Sequence, residues 1–143
     1  MKIIMLRISK IADYGTVVMT YLANKSDMPS NARIIAAETH LTLPMVSKVL
    51  KLLAKAGLLL SERGVQGGYR LAKSAVEISI AQIIGALDNS VSLTECSHTE
   101  NGCSLEGTCS IKNHWRFINK TINSALEKIS LADMIASPER IKI

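Results

Sequence analysis

The sequence predicts a mainly α-helical protein, built as a winged helix-turn-helix with a short two-stranded wing and a long C-terminal dimerisation helix. Three stretches carry that prediction. Residues 31–56 read as two short amphipathic helices with a tight break between them, and residues 57–71 as a glycine-rich hairpin. Residues 111–129 repeat apolar side chains at spacings of four and three, the pattern of a coiled-coil seam.

The first helix of the chain is expected from Ser9, a plausible cap, with Ile11, Ala12, Gly15, Val18, Met19 and Leu22 on its packing face. A loop follows through residues 24–30, rich in turn formers. Ser30 is expected to cap the next helix, with Ile34, Ile35, Ala37 and Leu41 as its apolar stripe and an end near Thr39-His40. Thr42 then opens a further helix, where Pro44 fits the first turn because its missing N–H would have had no intrahelical partner. Val46, Val49, Leu50 and Leu53 form the inward face of that helix, which leaves Ser47, Lys48, Lys51 and Lys55 outward. Such a face suits a recognition helix, whose early side chains reach base edges and whose later lysines meet phosphates. Gly57 stops the helix as its C′ residue.

Leu58, Leu59 and Leu60 are expected as a short buried strand, returned by the turn Arg63–Gly68 as Tyr69-Arg70-Leu71. The glycines allow the hairpin backbone to approach a duplex closely, with Arg63 near the tip. A phosphate-binding loop is excluded, because no GxxxxGK[ST] and no parallel βαβ pattern is present. The candidate DNA contacts are therefore Thr42, Ser47, Lys48, Lys51, Arg63, Gly67 and Tyr69. Further on, Ser79 and Gln82 are spaced as a capping box for a helix holding Ile80, Ile83, Ile84 and Leu87 and ending near Asp88-Asn89. The seam of Ile111, Trp115, Ile118, Ile122, Ala125 and Ile129 calls for a partner, and a symmetric homodimer supplies one. Ser130 and Asp133 mark another capping box, before a short helix through Ile135 that Ser137-Pro138 ends.

Residues 1–88 are thus expected as the DNA-binding unit, 89–110 as a cysteine-containing loop, and 111–143 as the dimerisation and terminal helices. At 143 residues the chain suits one compact domain with a long extra helix rather than two independent cores, and a hydrophobic content of 48% argues against disorder. Its formal charge of +5 and isoelectric point near 9.2 favour a polyanionic partner such as double-stranded DNA. No apolar run approaches a membrane span, and Ile3–Leu6 is too short for a signal-peptide core. A soluble cytoplasmic protein is expected.

All three cysteines, Cys96, Cys103 and Cys109, fall in the polar 89–110 stretch, with gaps of six and five residues. An odd number in a cytoplasmic chain does not make a disulfide framework. Three thiolates converging from one loop could hold an iron-sulfur cluster or, with a fourth ligand, zinc; they could also act as free or redox-active thiols. No CxxC pair, Ser-His-Asp set or carboxylate pair supports an enzyme. An interaction module that kept the winged fold without binding DNA is the alternative of another class.

The wing ERGVQGGYRL at 62–71, the three-cysteine loop and a long helix beginning near His114-Trp115 together resemble the IscR-type family of bacterial transcription regulators, over Leu6 to about Ile135. Within it, the wing and cysteine loop look most like the subgroup that regulates the SUF iron-sulfur assembly operon. The resemblance implies a dimer reading a two-fold operator and a 2Fe-2S cluster on Cys96, Cys103 and Cys109. It also implies base reading by Ser47 and Lys48, and an arginine in the minor groove at Arg63. Nitric-oxide or thiol-redox sensing through the same cysteines is the alternative within the family. This chain departs from the Isc-type pattern twice: its first cysteine gap is one residue longer, and Lys112 stands where that pattern has a histidine. The fourth ligand is then sought elsewhere. Nitric-oxide-sensing relatives place an acidic residue of the opposite subunit there, which corresponds to Asp13; His114 is a further candidate, although about 100° per residue turns it away from the Lys112 position, and His98, two residues from Cys96, water or a small molecule complete the alternatives.

Overall fold

The computed structural model describes residues 7–25, 28–89, 91–93 and 108–136. Its helices are α1 (Lys10–Asn24), α2 (Ala32–Thr39), α3 (Leu43–Lys55), α4 (Ile80–Asp88), α5 (Lys112–Lys128) and α6 (Leu131–Ile135). The antiparallel pair β1 (Leu59–Glu62) and β2 (Gly68–Leu71) lies between α3 and α4, followed by a 3-10 turn at Ala75–Glu77. The mainly helical winged architecture read from the sequence is the one observed.

Helices α1, α2, α4 and α6 each begin at a residue whose side chain accepts from a first-turn N–H. Ser9 caps α1 by accepting from the Ala12 N–H at 3.3 Å, and Ser79 and Gln82 cap α4 reciprocally. Ser130 and Asp133 do the same for α6. The end of α3 is a full Schellman closure: Leu58 N–H donates to Leu53 O and Gly57 N–H to Ala54 O, both at 3.0 Å. Gly57 takes φ +78°, as a C′ residue in the left-handed region must.

The core is a single cluster. Val18 and Met19 of α1, Ile35 of α2, Val46, Val49, Leu50 and Leu53 of α3, and Ile83 of α4 are fully buried in it. Burying each large aliphatic side chain contributes roughly 1.5–3 kcal/mol, so the inward face of α3 alone fixes that helix firmly. Leu131 of α6 is also fully buried, because α6 packs on α1. It is held there by an antiparallel bridge, in which Ile80 N–H donates to Ile129 O at 2.9 Å and Leu131 N–H to Ile78 O at 2.7 Å.

Three local expectations are corrected. Ser30 does not cap α2; Asn31 does, its Oδ1 accepting from the Ile34 N–H at 3.0 Å. Ser30 is committed elsewhere, since its backbone pairs both ways with Tyr69 at 3.0 and 2.9 Å and it is buried by that contact. The stripe of α2 is rotated: Ile35 and Ala36 are buried, whereas Ile34 is 49% exposed and Ala37 is exposed. The strand is displaced toward the turn because Leu58 is used in the Schellman closure, so Leu59 points inward and Leu60, opposite Arg70, points out. Ser137-Pro138 lies outside the described residues.

Candidate functional site

α3 is presented by its two ends. His40, in the left-handed conformation at φ 57°, closes α2 and reverses the chain within two residues. Thr42 is the N-cap of α3, yet its side chain makes no capping bond. Thr42 is exposed at the N-terminus of α3, where free first-turn N–H groups suit a phosphate oxygen. Along the helix Lys48, Lys51 and Lys55 are exposed and fall within about 60° of one another, given about 100° per residue. Ser47 sits half-buried beside them. The helix carries no acidic residue, so its outer face is uniformly positive.

The wing is tied to the same frame. β1 leaves α3 through the Schellman turn and pairs with β2 in the register Leu59↔Leu71 to Glu62↔Gly68. β2 in turn bridges to Ser30, so helix-turn-helix and wing share one backbone network. Gly67 lies inside the tip: its N–H donates to Gly64 O at 3.0 Å, and a Cβ there would fall 2.3 Å from Glu62 O. Gly68 passes so close to Ser30 that a Cβ would lie 2.4 Å from its carbonyl carbon. Arg63 and Val65 project into solvent, and Glu62 pairs with Arg70 at 2.6 Å along the hairpin. Tyr69 is half-buried against the core, its backbone engaged by Ser30. Thr42, Lys48, Lys51 and Arg63 are thus exposed on elements joined through one core. Gly67 and Tyr69 sit where turn geometry and sheet pairing place them.

Of the thiol residues, Cys96 and Cys103 lie outside the described residues, as does His98. Cys109 is half-buried with a free thiol, in the turn that leads into α5. Among the described residues no group of three or more His, Cys, Asp or Glu side chains comes together. Asp13 is exposed in the first turn of α1. His114 is exposed and Lys112 half-buried, so these two side chains take different sides of α5. By donor chemistry the set fits an iron-sulfur group, as three soft thiolates are confined to fourteen residues of chain.

Two residues that sequence reasoning missed attach the chain ahead of the cysteines to α5. Leu93 N–H donates to Asn119 Oδ1 at 3.1 Å, and Asn123 Nδ2 donates to Val91 O and Asn119 O, each at 2.9 Å. The available signal was a pair of asparagines at i, i+4 inside a helix, where that residue type has low propensity.

The sequence pattern of the Rrf2 family, described as "Iron-dependent Transcriptional regulator", matches residues 8–137. The chain is 35% identical over 105 residues to the HTH-type transcriptional regulator IscR of Aliivibrio salmonicida (strain LFI1238), a match covering 73% of this chain and 62% of that relative. It therefore spans less than two thirds of that relative's length. Among solved structures it resembles T. potens IscR, with TM-score 0.72 and 30% identity over 96% of this chain and 93% of the other. It also resembles CymR, the global cysteine regulator of B. subtilis, with TM-score 0.71 and 27% identity over 91% of this chain and 96% of the other.

Proposed function

This chain belongs to the Rrf2 family of iron-dependent transcriptional regulators, and from that membership we propose that it is a homodimeric operator-binding protein that senses iron-sulfur cluster status through a 2Fe-2S cluster. The observation that carries the DNA-binding part is the exposed lysine face of α3, beside a wing fixed to the same core. In this reading residues 1–88 bind the duplex, 89–110 carry the sensing thiols, and α5 joins two copies. Lys48 and Ser47 face base edges, Thr42 and Lys51 meet phosphates, and Arg63 enters the minor groove, with Gly67 and Tyr69 shaping the wing that carries it.

Cys96, Cys103 and Cys109 would hold a 2Fe-2S cluster, which supplies redox chemistry and a response to cluster supply when bound. Asp13 of the partner subunit or His114 is the fourth ligand in this reading. An exposed carboxylate in the first turn of α1 can be offered to another subunit, and a carboxylate is a harder donor than thiolate or imidazole. The targets proposed are iron-sulfur assembly genes of the SUF type, on the likeness of the wing and cysteine stretch to that subgroup.

Two measurements test this. Binding to its own upstream region should weaken linearly on a log–log salt plot, by counterion release, and exceed binding to a shuffled duplex; equal affinity for both leaves an interaction module. Protein purified without oxygen should show a visible iron-sulfur spectrum. A colourless protein whose operator affinity follows thiol oxidation would carry the thiol-sensing alternative instead. If the spectrum is present, Asp13→Ala should change its shape and lifetime more than His114→Ala does.

A further inference from the structure

The chain leaving α4 is fastened before it reaches the cysteines. Asn119 accepts from the Leu93 N–H, and Asn123 donates to the Val91 carbonyl, so two backbone groups of residues 91–93, which lie outside any strand or helix, find side-chain partners on α5. Asn123 also donates to Asn119 O, which holds both side chains on one turn. At the other end, the turn carrying Cys109 runs directly into Lys112, the first residue of α5. From Lys112 to Asn119 the helix rises only about 10 Å. The fourteen residues between 93 and 108 could reach about 50 Å if extended. Both ends of the cysteine stretch are therefore held on one helix, between Lys112 and Asn123.

In the sequence Cys96 stands three residues beyond the anchored Leu93, and Cys109 three before the first residue of α5. The inner side of α5 packs on α4, while Ile118 on its apolar face remains 41% exposed. The geometry points to Asn119 and Asn123 as positioning residues that couple the state of the thiols to α5, and through α5 to the relative placement of two DNA-reading units. This rests on the regulator reading above and names the residues that transmit its signal.

The chemistry of the two asparagines differs, and that makes the idea testable. Asn119 acts as an acceptor toward Leu93, so Asn119→Asp preserves its bond. Asn123 acts as a donor, so Asn123→Asp destroys both of its bonds and sets a carboxylate against two carbonyl oxygens. Operator affinity is measured for the reduced, metal-free full chain and for the same chain alkylated with iodoacetamide. The wild type should show a difference of about tenfold between the two states, within the usual range of coupling between sites. Asn119→Asp should keep that factor. Asn123→Asp and the double alanine variant should bring it to about one while reduced-state affinity stays within about twofold, as neither residue touches DNA. Hydrogen exchange at the Leu93 amide should quicken in the double alanine variant and stay slow in Asn119→Asp. No difference between states in the wild type overturns this inference, while the regulator reading is decided separately by operator binding and the visible spectrum. A wild-type factor retained in Asn123→Asp, or unchanged exchange at Leu93 in the double alanine variant, overturns the inference alone. If the double alanine variant fails to fold, the two aspartate variants carry the same comparison.

Discussion

Gly68 shows how a single position joins the wing to the helix-turn-helix. Its φ of +154° disfavours any side chain, and a Cβ would meet the carbonyl carbon, oxygen and following nitrogen of the Ser30 peptide, backbone that cannot swing aside. Gly68→Ala should cost about 3 kcal/mol, read as a lower urea midpoint at an unchanged slope. An unchanged midpoint would mean that the wing does not depend on this contact. For DNA contact the lysines and the arginine should separate. Lys51→Ala should weaken binding to every duplex alike and reduce the salt slope by roughly one, as loss of a phosphate contact requires. Arg63→Ala should hurt the chosen operator most, as insertion in a narrow groove requires. Equal affinity of wild type and Arg63→Ala across a salt titration removes Arg63 from the interface. The lysines were legible because period 3.6 fixes which residues oppose a buried face. Asn31 was not, because the choice between Ser30 and Asn31 as cap was made by Tyr69, far along the chain.

At the scale of elements, short helices here depend on their caps. α6 has five residues and is held by reciprocal bonds: Asp133 N–H donates to Ser130 Oγ at 3.1 Å, while Ser130 N–H and hydroxyl donate to Asp133 Oδ2 at 2.8 and 2.9 Å. The Ser130 N–H, and then its hydroxyl, hold the Asp133 carboxyl below the usual aspartate range. The Ser74 hydroxyl and N–H act likewise on Glu77 in the 3-10 turn. A carboxylate with a depressed folded-state pKa contributes stability above its ordinary, unfolded value and loses it as pH falls through the depressed one. Ser130→Ala should therefore lower the urea midpoint at neutral pH, with the gap to wild type narrowing below the ordinary carboxylate range as the hydroxyl–carboxylate bond is lost from both. A gap of constant size across pH would assign the loss to the hydroxyl cap alone. These boxes were half legible. Ser79–Gln82 and Ser130–Asp133 stood out ahead of apolar runs, whereas Ser74–Glu77 precedes a turn with no periodicity to mark it.

For the whole molecule the telling element is α5, whose seventeen residues include none that is buried. Only Leu126, with the C-cap residue Ile129, joins the margin of the core, while Ile111, Phe117 and Ile118 are 51%, 71% and 41% exposed. A second copy of the chain is the proposed cover, and dimerisation would double the net charge of +5 that attracts the duplex. Ile118→Glu is the cleaner probe of that seam, since Ile118 is more exposed than Ile122 and contributes less to the fold of one chain. It should sediment as a monomer at low micromolar concentration, because like charges would face each other across an apolar contact. A persistent dimer would place the interface elsewhere.

What the sequence by itself determined is local. The order of elements, the Schellman end of α3, the buried quartet Val46, Val49, Leu50 and Leu53, and the caps at Ser9, Ser79 and Ser130 depend on neighbours three to five residues away. Tertiary structure alone decided how those faces were turned and what they met. It rotated the stripe of α2 toward Ile35 and Ala36, committed Ser30 to Tyr69, and seated Leu131 beneath α1. It also brought Asn119 and Asn123 to residues 91–93, across separations of 26 and 32 positions. Periodicity states which side chains share a face; only packing and backbone pairing between distant segments set the rotation of that face, and neither leaves a periodic trace in the chain.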